Sequence, residues 1–391
     1  MSKDMPILTS DKALKLAFEG LQGYLDLEGV GYKVRPEMLL QVLLAVSSQG
    51  MTVEQVCRTL PELPDATTLR KHLNAYLTPE RLPELEQQLN AALQAQVPQR
   101  LWRKSRDIAI DVHERPYYGR TEQTQGMWVR SRPKASTQRF YRVITAYVMQ
   151  RGLRVTLAVA FMPYQTQLLA GLQQLLRYVA ALHLSLRQLW LDRGFATLAV
   201  LRYLQDESYS AVVACPLRGN PDGQGTRALC KGRGSYLTDH TFSDSTHQHR
   251  LTLALAVCRI LTGRTPRRRT PRHTGWQVYA LIHAPLTPQQ VLARYRGRFG
   301  IETSYRCANQ VRGWTTSPNP VYRFVLLGLA FYLYNVWVQL VWLCTQVPRR
   351  GGRYLDTQRF RLDCLKLLLL HALEHRYGTL LSITAPAVPR P

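Results

Sequence analysis

At residue 107 the hydrophobic period of this chain changes, and that change limits what it can fold into. Up to about residue 104 apolar residues recur at helical spacing, as in Leu14, Leu16, Ala17, Leu21 and Tyr24, and again in Met38, Leu39, Val42 and Leu43. From 107 the runs become short, β-branched and aromatic: DIAIDV, RFYRVITAYVM and LRVTLAVAF. A helical stretch from Gln165 to about Leu184 follows. Then come a buried strand in RQLWLDRGF, a helix in TLAVLRYLQDE and a strand in YSAVVACP. Strands followed by alternating helices and strands predict an α/β core with a mixed sheet, preceded by an N-terminal helical domain.

Residues 216–286 break that rhythm. A Gly/Pro-rich loop, RGNPDGQGTRALCKGRG, opens them, and the strand-like runs GSYLTDHTF, HRLTLALAVCRI and GWQVYALIH follow. This pattern predicts a β-rich insertion interrupting the core. Thr287 then caps a helix with Pro288 at its first position and Gln290 three residues on, which spells a capping box. The expected division is therefore a helical domain over 1–104, core over 105–215, insertion over 216–286, core again over 287–345, and a C-terminal helix and tail over 346–391. No internal repeat is visible.

The run FVLLGLAFYLYNVWVQLVW, Phe324 to Trp342, is long enough to cross a bilayer. Asn335 and Gln339 interrupt it and no second span accompanies it, so it is read as a helix buried in a globular core, with no membrane partner.

Charge narrows the function. Lys and Arg number 51 against 26 Asp and Glu, a formal net charge of +25, in a chain that is 46% hydrophobic and so able to bury a core. A folded protein this basic calls for a polyanionic partner, of which nucleic acid is the commonest. The seven cysteines form no C-x-x-C pair, which points to a reducing cytoplasm. The first residues carry no apolar run of the signal-peptide kind. Within the helical domain, TVEQVCRTL, the break PELP and DATTLRKHLNAYL resemble a helix-turn-helix. Asp65 would cap its second helix, with Leu69 and Leu73 on one face and Arg70, Lys71 and His72 on the other. A plain structural or dimerising bundle has the same pattern. Inside the insertion, Arg264, Arg267, Arg268, Arg269 and Arg272 form a basic loop suited to a phosphate backbone.

Three acids stand among apolar or basic neighbours, where an unpaired charge is costly: Asp111 ending the strand DIAIDV, Asp192 ending the strand in WLDRGF, and Glu302 on a helix in RYRGRFGIETSYR. A lone Asp at a strand end is usually a turn former or a helix cap. Three converging carboxylates, however, make a hard-oxygen site for Mg²⁺ of the kind that serves phosphodiester cleavage. Tyr295, Arg298, Glu302 and Asn309 lie at i, i+3, i+7 and i+14 on one helix and so fall on one face, either as a solvated ion-pair stripe or as a row meeting metal and phosphate. Trp276 and Trp314 are candidates for stacking on an unpaired base, with core packing as the plain alternative. His113 beside Asp111 either tunes the acid or packs. Cys215, Cys230, His247 and His249 have spacing too irregular for a zinc site.

The segment ARYRGRFGIETSYRCANQVRGWTTSP resembles the tyrosine–arginine–glutamate signature of bacterial insertion-sequence DDE transposases with an RNase H-like core. In that subgroup a β-strand domain lies between the second Asp and the Glu. IDVHERPYYG, LDRGF and RFVLLGLAFYLYNVW are similar too, so the likeness runs from about residue 105 to 345. The resemblance implies that Asp111, Asp192 and Glu302 are catalytic and hold two Mg²⁺ ions, or Mn²⁺ in their place. It implies that Tyr295 and Arg298 contact DNA near the scissile phosphate. The family has a lysine seven residues after the glutamate, where this chain has Asn309, and Arg312 is read as taking over its phosphate contact from a neighbouring part of the helix. Arg267, Arg268 and Arg269 remain the candidate backbone-binding loop.

The expected activity is thus cleavage at the ends of a mobile element and strand transfer into target DNA, by a homodimer on double-stranded DNA in the bacterial cytoplasm. The rival readings are an RNase H-like nuclease that cuts without joining and a non-catalytic DNA-binding protein derived from a transposase.

Overall fold

The computed structural model of the protein describes residues 7–27, 33–99, 101, 104–119, 126–150, 154–163, 168–244, 246, 248–262, 273–350 and 352–382. Helices come first: α1 (Ser10–Gln22), α2 (Pro36–Gln49), α3 (Val53–Thr59), α4 (Ala66–Tyr76) and α5 (Leu82–Ala95). Then follow β1 (Arg106–Pro116), β2 (Val129–Lys134), β3 (Thr137–Val148), β4 (Val155–Met162), α6 (Leu168–Ala180), β5 (Leu186–Leu191), α7 (Leu198–Asp206) and β6 (Ala211–Cys215). After β7 (Tyr236–Ser243), β8 (Arg250–Thr262) and β9 (His273–Ile282) come α8 (Pro288–Tyr295), α9 (Gly300–Ala308) and α10 (Pro320–Cys344). The strands β10 (Gln346–Arg349) and β11 (Gly352–Leu355) and the helix α11 (Leu362–Tyr377) end the chain.

These elements form two compact units that do not follow the linear division read from the sequence. One comprises Met1–Pro98, Glu114–Tyr141 and Ser304–Pro391, and the other Gln99–His113 and Arg142–Thr303. Each unit is discontinuous because distant segments pack together, which no local period encodes.

The helical unit is built around α10, whose apolar window has a mean hydropathy of 1.8 and is 89% buried. It packs against α1, α2, α5 and α11. Its polar residues are answered within the same unit: Asn335 donates to the Leu93 carbonyl at 3.3 Å, and the Tyr332 hydroxyl to the Ala17 carbonyl at 2.8 Å. Such pairing is what makes buried polar groups tolerable. Gly328 lets α5 come close, since a Cβ there would lie 2.9 Å from a Leu89 methyl. In α3 and α4, Val53, Val56, Leu69 and Leu73 are buried and Arg70 and Lys71 are exposed. The Asp65 carboxylate caps α4, accepting from the Thr67 and Thr68 amides at 2.9 and 3.0 Å.

The other unit is organised on a sheet with the order β2-β3-β1-β5-β6-β9-β8-β7, in which β4 also pairs with β3. β3 and β4 are antiparallel, β1, β5 and β6 run parallel, and β9, β8 and β7 return antiparallel. Every residue of β4 and of β6 is buried, the pattern of strands covered on both faces. β7, at the edge, alternates half-buried and exposed residues, as a strand open on one face does. Residues 216–286 thus differ from the expected separate insertion. Their strands continue the core sheet, because β9 pairs directly with β6 from Ala211↔Ile282 to Cys215↔Val278.

Candidate active site

Two of the three predicted acids are set side by side by strand register. Ile110 on β1 is the cross-strand partner of Leu191 on β5, and the strands are parallel, so Asp111 and Asp192 are the next residues on neighbouring strands. β1 is longer than DIAIDV suggested and continues to Pro116, so Asp111 is where pairing with β5 ends and not where the strand ends. The other acid on this strand, Asp107, is spent structurally: the Arg187 guanidinium grips it with two bonds of 2.7 and 2.5 Å.

Asp111 has no such partner. Its side chain is 16% exposed, and the nearest cation, Arg298, stands at 3.6 Å. Burial pushes its carboxyl up to about 7 and the neighbouring Asp192 charge adds to the rise. Arg298 and the Val112 amide pull the other way, and Glu302 raises it a little further. Asp192 does fill the cap role open to any strand-end Asp: one oxygen accepts from the Gly194 amide at 2.9 Å and starts a 3₁₀ turn over Arg193–Phe195. The second oxygen remains for other work. Gly194 suits this turn, since a Cβ there would lie 3.1 Å from the capping oxygen.

Tyr295 and Arg298 support the acids from below. The Tyr295 hydroxyl donates to the Leu191 carbonyl at 3.3 Å, one residue before Asp192. Its ring packs on Tyr279 at 4.7 Å and edge-on to Trp190 at 6.2 Å, and burial pushes its hydroxyl up to about 12. A phenol this enclosed positions the end of β5. Arg298 is 7% exposed and lies over the rings of Tyr295 and Phe299 at 5.3 Å each. Its Nε and Nη1 have no hydrogen-bond partner among the described residues. A cavity of about 220 Å³ opens beside Asp192, lined also by Arg193, Tyr279, Tyr295, Arg298 and Phe299.

The helix expected to run unbroken past Glu302 is segmented. α8 ends at Tyr295, a 3₁₀ turn spans Arg296–Phe299, α9 covers Gly300–Ala308, and a second 3₁₀ turn spans Asn309–Val311. The reason is close packing. A Cβ on Gly297 would lie 2.9 Å from the Met149 methyl, and one on Gly300 would lie 2.6 Å from the Tyr147 hydroxyl. A 3₁₀ turn has about 3.0 residues against 3.6 in an α-helix, so the turn rotates Glu302 and Asn309 relative to Tyr295, while Arg298 stays on the Tyr295 ring and 3.6 Å from Asp111. Glu302 falls in the first turn of α9, exposed, within electrostatic reach of Asp111. Among the described residues no group of three His, Cys, Asp or Glu side chains is gathered closely enough to hold a metal ion.

Arg312 is likewise not on the helix. It has extended backbone at φ −107° and ψ 123°, beyond the last 3₁₀ turn, and its guanidinium lies over Trp314 at 5.3 Å. The residue that meets Asn309 is one the sequence did not single out. Arg115 donates to the Asn309 Oδ1 at 2.6 Å. Arg115 is 9% exposed, and burial together with the Arg312 charge lowers its guanidinium to about 10. Its only mark in the sequence is its place four residues after Asp111. Arg264, Arg267, Arg268, Arg269, Arg272 and His247 lie outside the described residues.

No protein-family model and no curated protein sequence matches the chain. Among solved structures it is similar to the piggyBac transposase in a cryo-electron microscopy synaptic complex with hairpin DNA. The TM-score is 0.56 at 11% identity, over 100% of this chain and 84% of that one. The likeness is one of fold, and it makes this an α/β protein of the RNase H-like class.

Proposed function

We propose that this chain is a DDE transposase of the bacterial insertion-sequence type, which cuts DNA at the ends of a mobile element and joins the freed 3′-hydroxyl to target DNA. The observation that carries the reading is the Asp111–Asp192 pair at the end of the β1–β5 register, with Asp111 pushed up to about 7 by burial and by its neighbour. Two carboxylates so placed carry more negative charge than Arg298 at 3.6 Å balances, and hard oxygen donors of this kind suit Mg²⁺. The residues fit a divalent ion: Asp111 and Asp192 would hold it, with Glu302 supplying the third carboxylate. Bound there, Mg²⁺ supplies Lewis-acid stabilisation of the phosphodiester oxygens as they exchange.

The protein's own residues then have separable tasks. Asp192, held by the Gly194 amide, presents a fixed oxygen. Tyr295 fixes the end of β5 through the Leu191 carbonyl. Arg298 offers unfilled N–H groups beside the acids, suited to a phosphate oxygen. The net charge of +25 draws the polyanion, and two element ends held together call for a dimer on DNA.

One observation favours a non-catalytic DNA-binding protein instead, namely that no three-carboxylate group is closed among the described residues. Cleavage separates the two. On DNA carrying the sequences that flank the gene, with Mg²⁺, the protein should nick and join. Asp111→Asn, Asp192→Asn and Glu302→Gln should each abolish cleavage while DNA binding persists. Binding without cleavage by the unmodified protein would leave the non-catalytic reading, and cleavage without joining would leave a nuclease.

A further inference from the structure

The helical unit has its own cavity, of about 530 Å³, lined by Arg115, Tyr141, Arg312, Trp314 and Arg323 among others, and by no carboxylate. None of these three arginines takes part in a salt bridge among the described residues. The Arg115 Nε is buried with no hydrogen-bond partner. Arg323 is aimed by its Nε, which donates to the Ser317 carbonyl at 2.8 Å. Guanidinium groups gathered this way repel one another, and the Arg312 and Arg115 charges are both disfavoured by burial and by the next arginine. Such a cluster makes sense around an anion.

The other wall is aromatic. Trp314 is 60% exposed, an unusual placement for a side chain of that size, and the Arg312 guanidinium already lies on its ring. The wall is anchored: the Trp314 amide donates to the Met51 carbonyl at 3.0 Å. A Cβ on Gly313 would lie 2.4 Å from a Val46 methyl, so only glycine lets this segment come so close. An indole face beside a pocket of cations matches a nucleotide, which has a stacking base and a phosphate within one small unit. Arg115 is only 9% exposed, which suits a single splayed strand entering the cavity better than the outer rim of an intact duplex.

We propose that this cavity binds one unpaired nucleotide of a DNA strand, with its phosphate among Arg115, Arg312 and Arg323 and its base on Trp314. The inference rests on the transposase reading only in taking DNA as the ligand. Its residues all belong to the helical unit, whereas the acids belong to the other. The Asn309–Arg115 bond becomes the strut that holds the deepest cation in place.

The test is binding in EDTA, so no chemistry intervenes. The full chain is titrated with a short 5′-phosphorylated oligothymidylate, followed by indole fluorescence and anisotropy. Trp314→Ala should weaken binding roughly 5- to 150-fold, the range for losing one base–aromatic stack. Arg312→Gln should weaken it about tenfold or more. Trp314 is exposed and Arg312 half-buried, so both variants should fold, which circular dichroism checks. Thymidine monophosphate and inorganic phosphate are the comparison probes. Weaker binding of both than of the oligonucleotide supports a strand site. Equal binding of the mononucleotide overturns the strand assignment in favour of a free nucleotide. Affinities of both variants within twofold of the unmodified protein overturn the pocket altogether. Because metal-dependent cleavage is scored separately on the acid variants, loss of this inference leaves the transposase reading standing.

Discussion

Replacing Asp111 by Asn should make the metal-free protein more stable, although it removes a proposed metal ligand. The side chain is 16% exposed and its carboxyl is raised from the ordinary 3.8 to about 7, a net value that already includes the pull of Arg298 at 3.6 Å. A group raised in the folded state favours folding most below its unfolded value, and that contribution is lost as the pH climbs through the folded value. At about 1.4 kcal/mol per tenfold in proton affinity, the ionised folded form is penalised by at most about 4 kcal/mol. Relaxation and water entry around a partly open carboxylate should leave about half of that, ~2 kcal/mol. Asn has the shape of the protonated acid and does not ionise. At about pH 8 in EDTA, Asp111→Asn should therefore melt roughly 4–8 °C higher, at about 2–4 °C per kcal/mol for a domain of this size. The gap should close as the pH falls toward about 4, where the acid is neutral in the folded protein and increasingly so in the unfolded one. Millimolar MgCl₂ should raise the melting temperature of the unmodified protein at pH 8 and barely move that of the variant. Calorimetry across pH, with and without metal, reads all of this. A variant that melts at or below the unmodified protein at pH 8, or a gap that widens on acidification, would refute the reasoning.

Two further outcomes are expected. If about 6–10 phosphates are engaged, affinity for duplex DNA should fall roughly 10³–10⁵-fold between 50 and 200 mM salt, and replacing Arg267, Arg268 and Arg269 by Ala should flatten the slope. An unchanged slope would take that loop out of the interface. Asn309→Lys should lower stability by about 1–3 kcal/mol in urea unfolding, because it removes the acceptor of a charge-assisted bond and sets a cation beside Arg115; a neutral result would mean the bond contributes nothing.

What the sequence made legible was what depends on local pattern. The capping box at Thr287, the Asp65 cap and the largely apolar α10 are written in neighbouring residues, and side-chain bonds and burial agree with them. So is the placing of two acids after the buried runs of β1 and β5, since parallel register puts the residues after Ile110 and Leu191 next to each other. What depends on distant packing was not legible. Gly297 and Gly300 carry no signal of their packing in the neighbouring residues. They are where α8 and α9 lie against Met149 and Tyr147, and the 3₁₀ turn between those helices carries Arg298 to Asp111. In the same way β9 reads as a strand of an insertion, and only its pairing with β6 makes it part of the core.

The departure at Asn309 shows how such long-range contacts change the meaning of a motif. Read along the helix, an Asn where the resembled family has a lysine is a missing charge. In the folded chain the charge at that place comes from β1, because Arg115 follows Asp111 on a strand longer than its apolar part and donates to Asn309 at 2.6 Å. A lysine there would face a guanidinium whose burial already disfavours its charge, whereas the Asn carbonyl accepts from it. The same strand thus carries an acid proposed for metal at one position and, four residues on, a cation proposed for phosphate. Asn309 is then the neutral partner this arrangement requires.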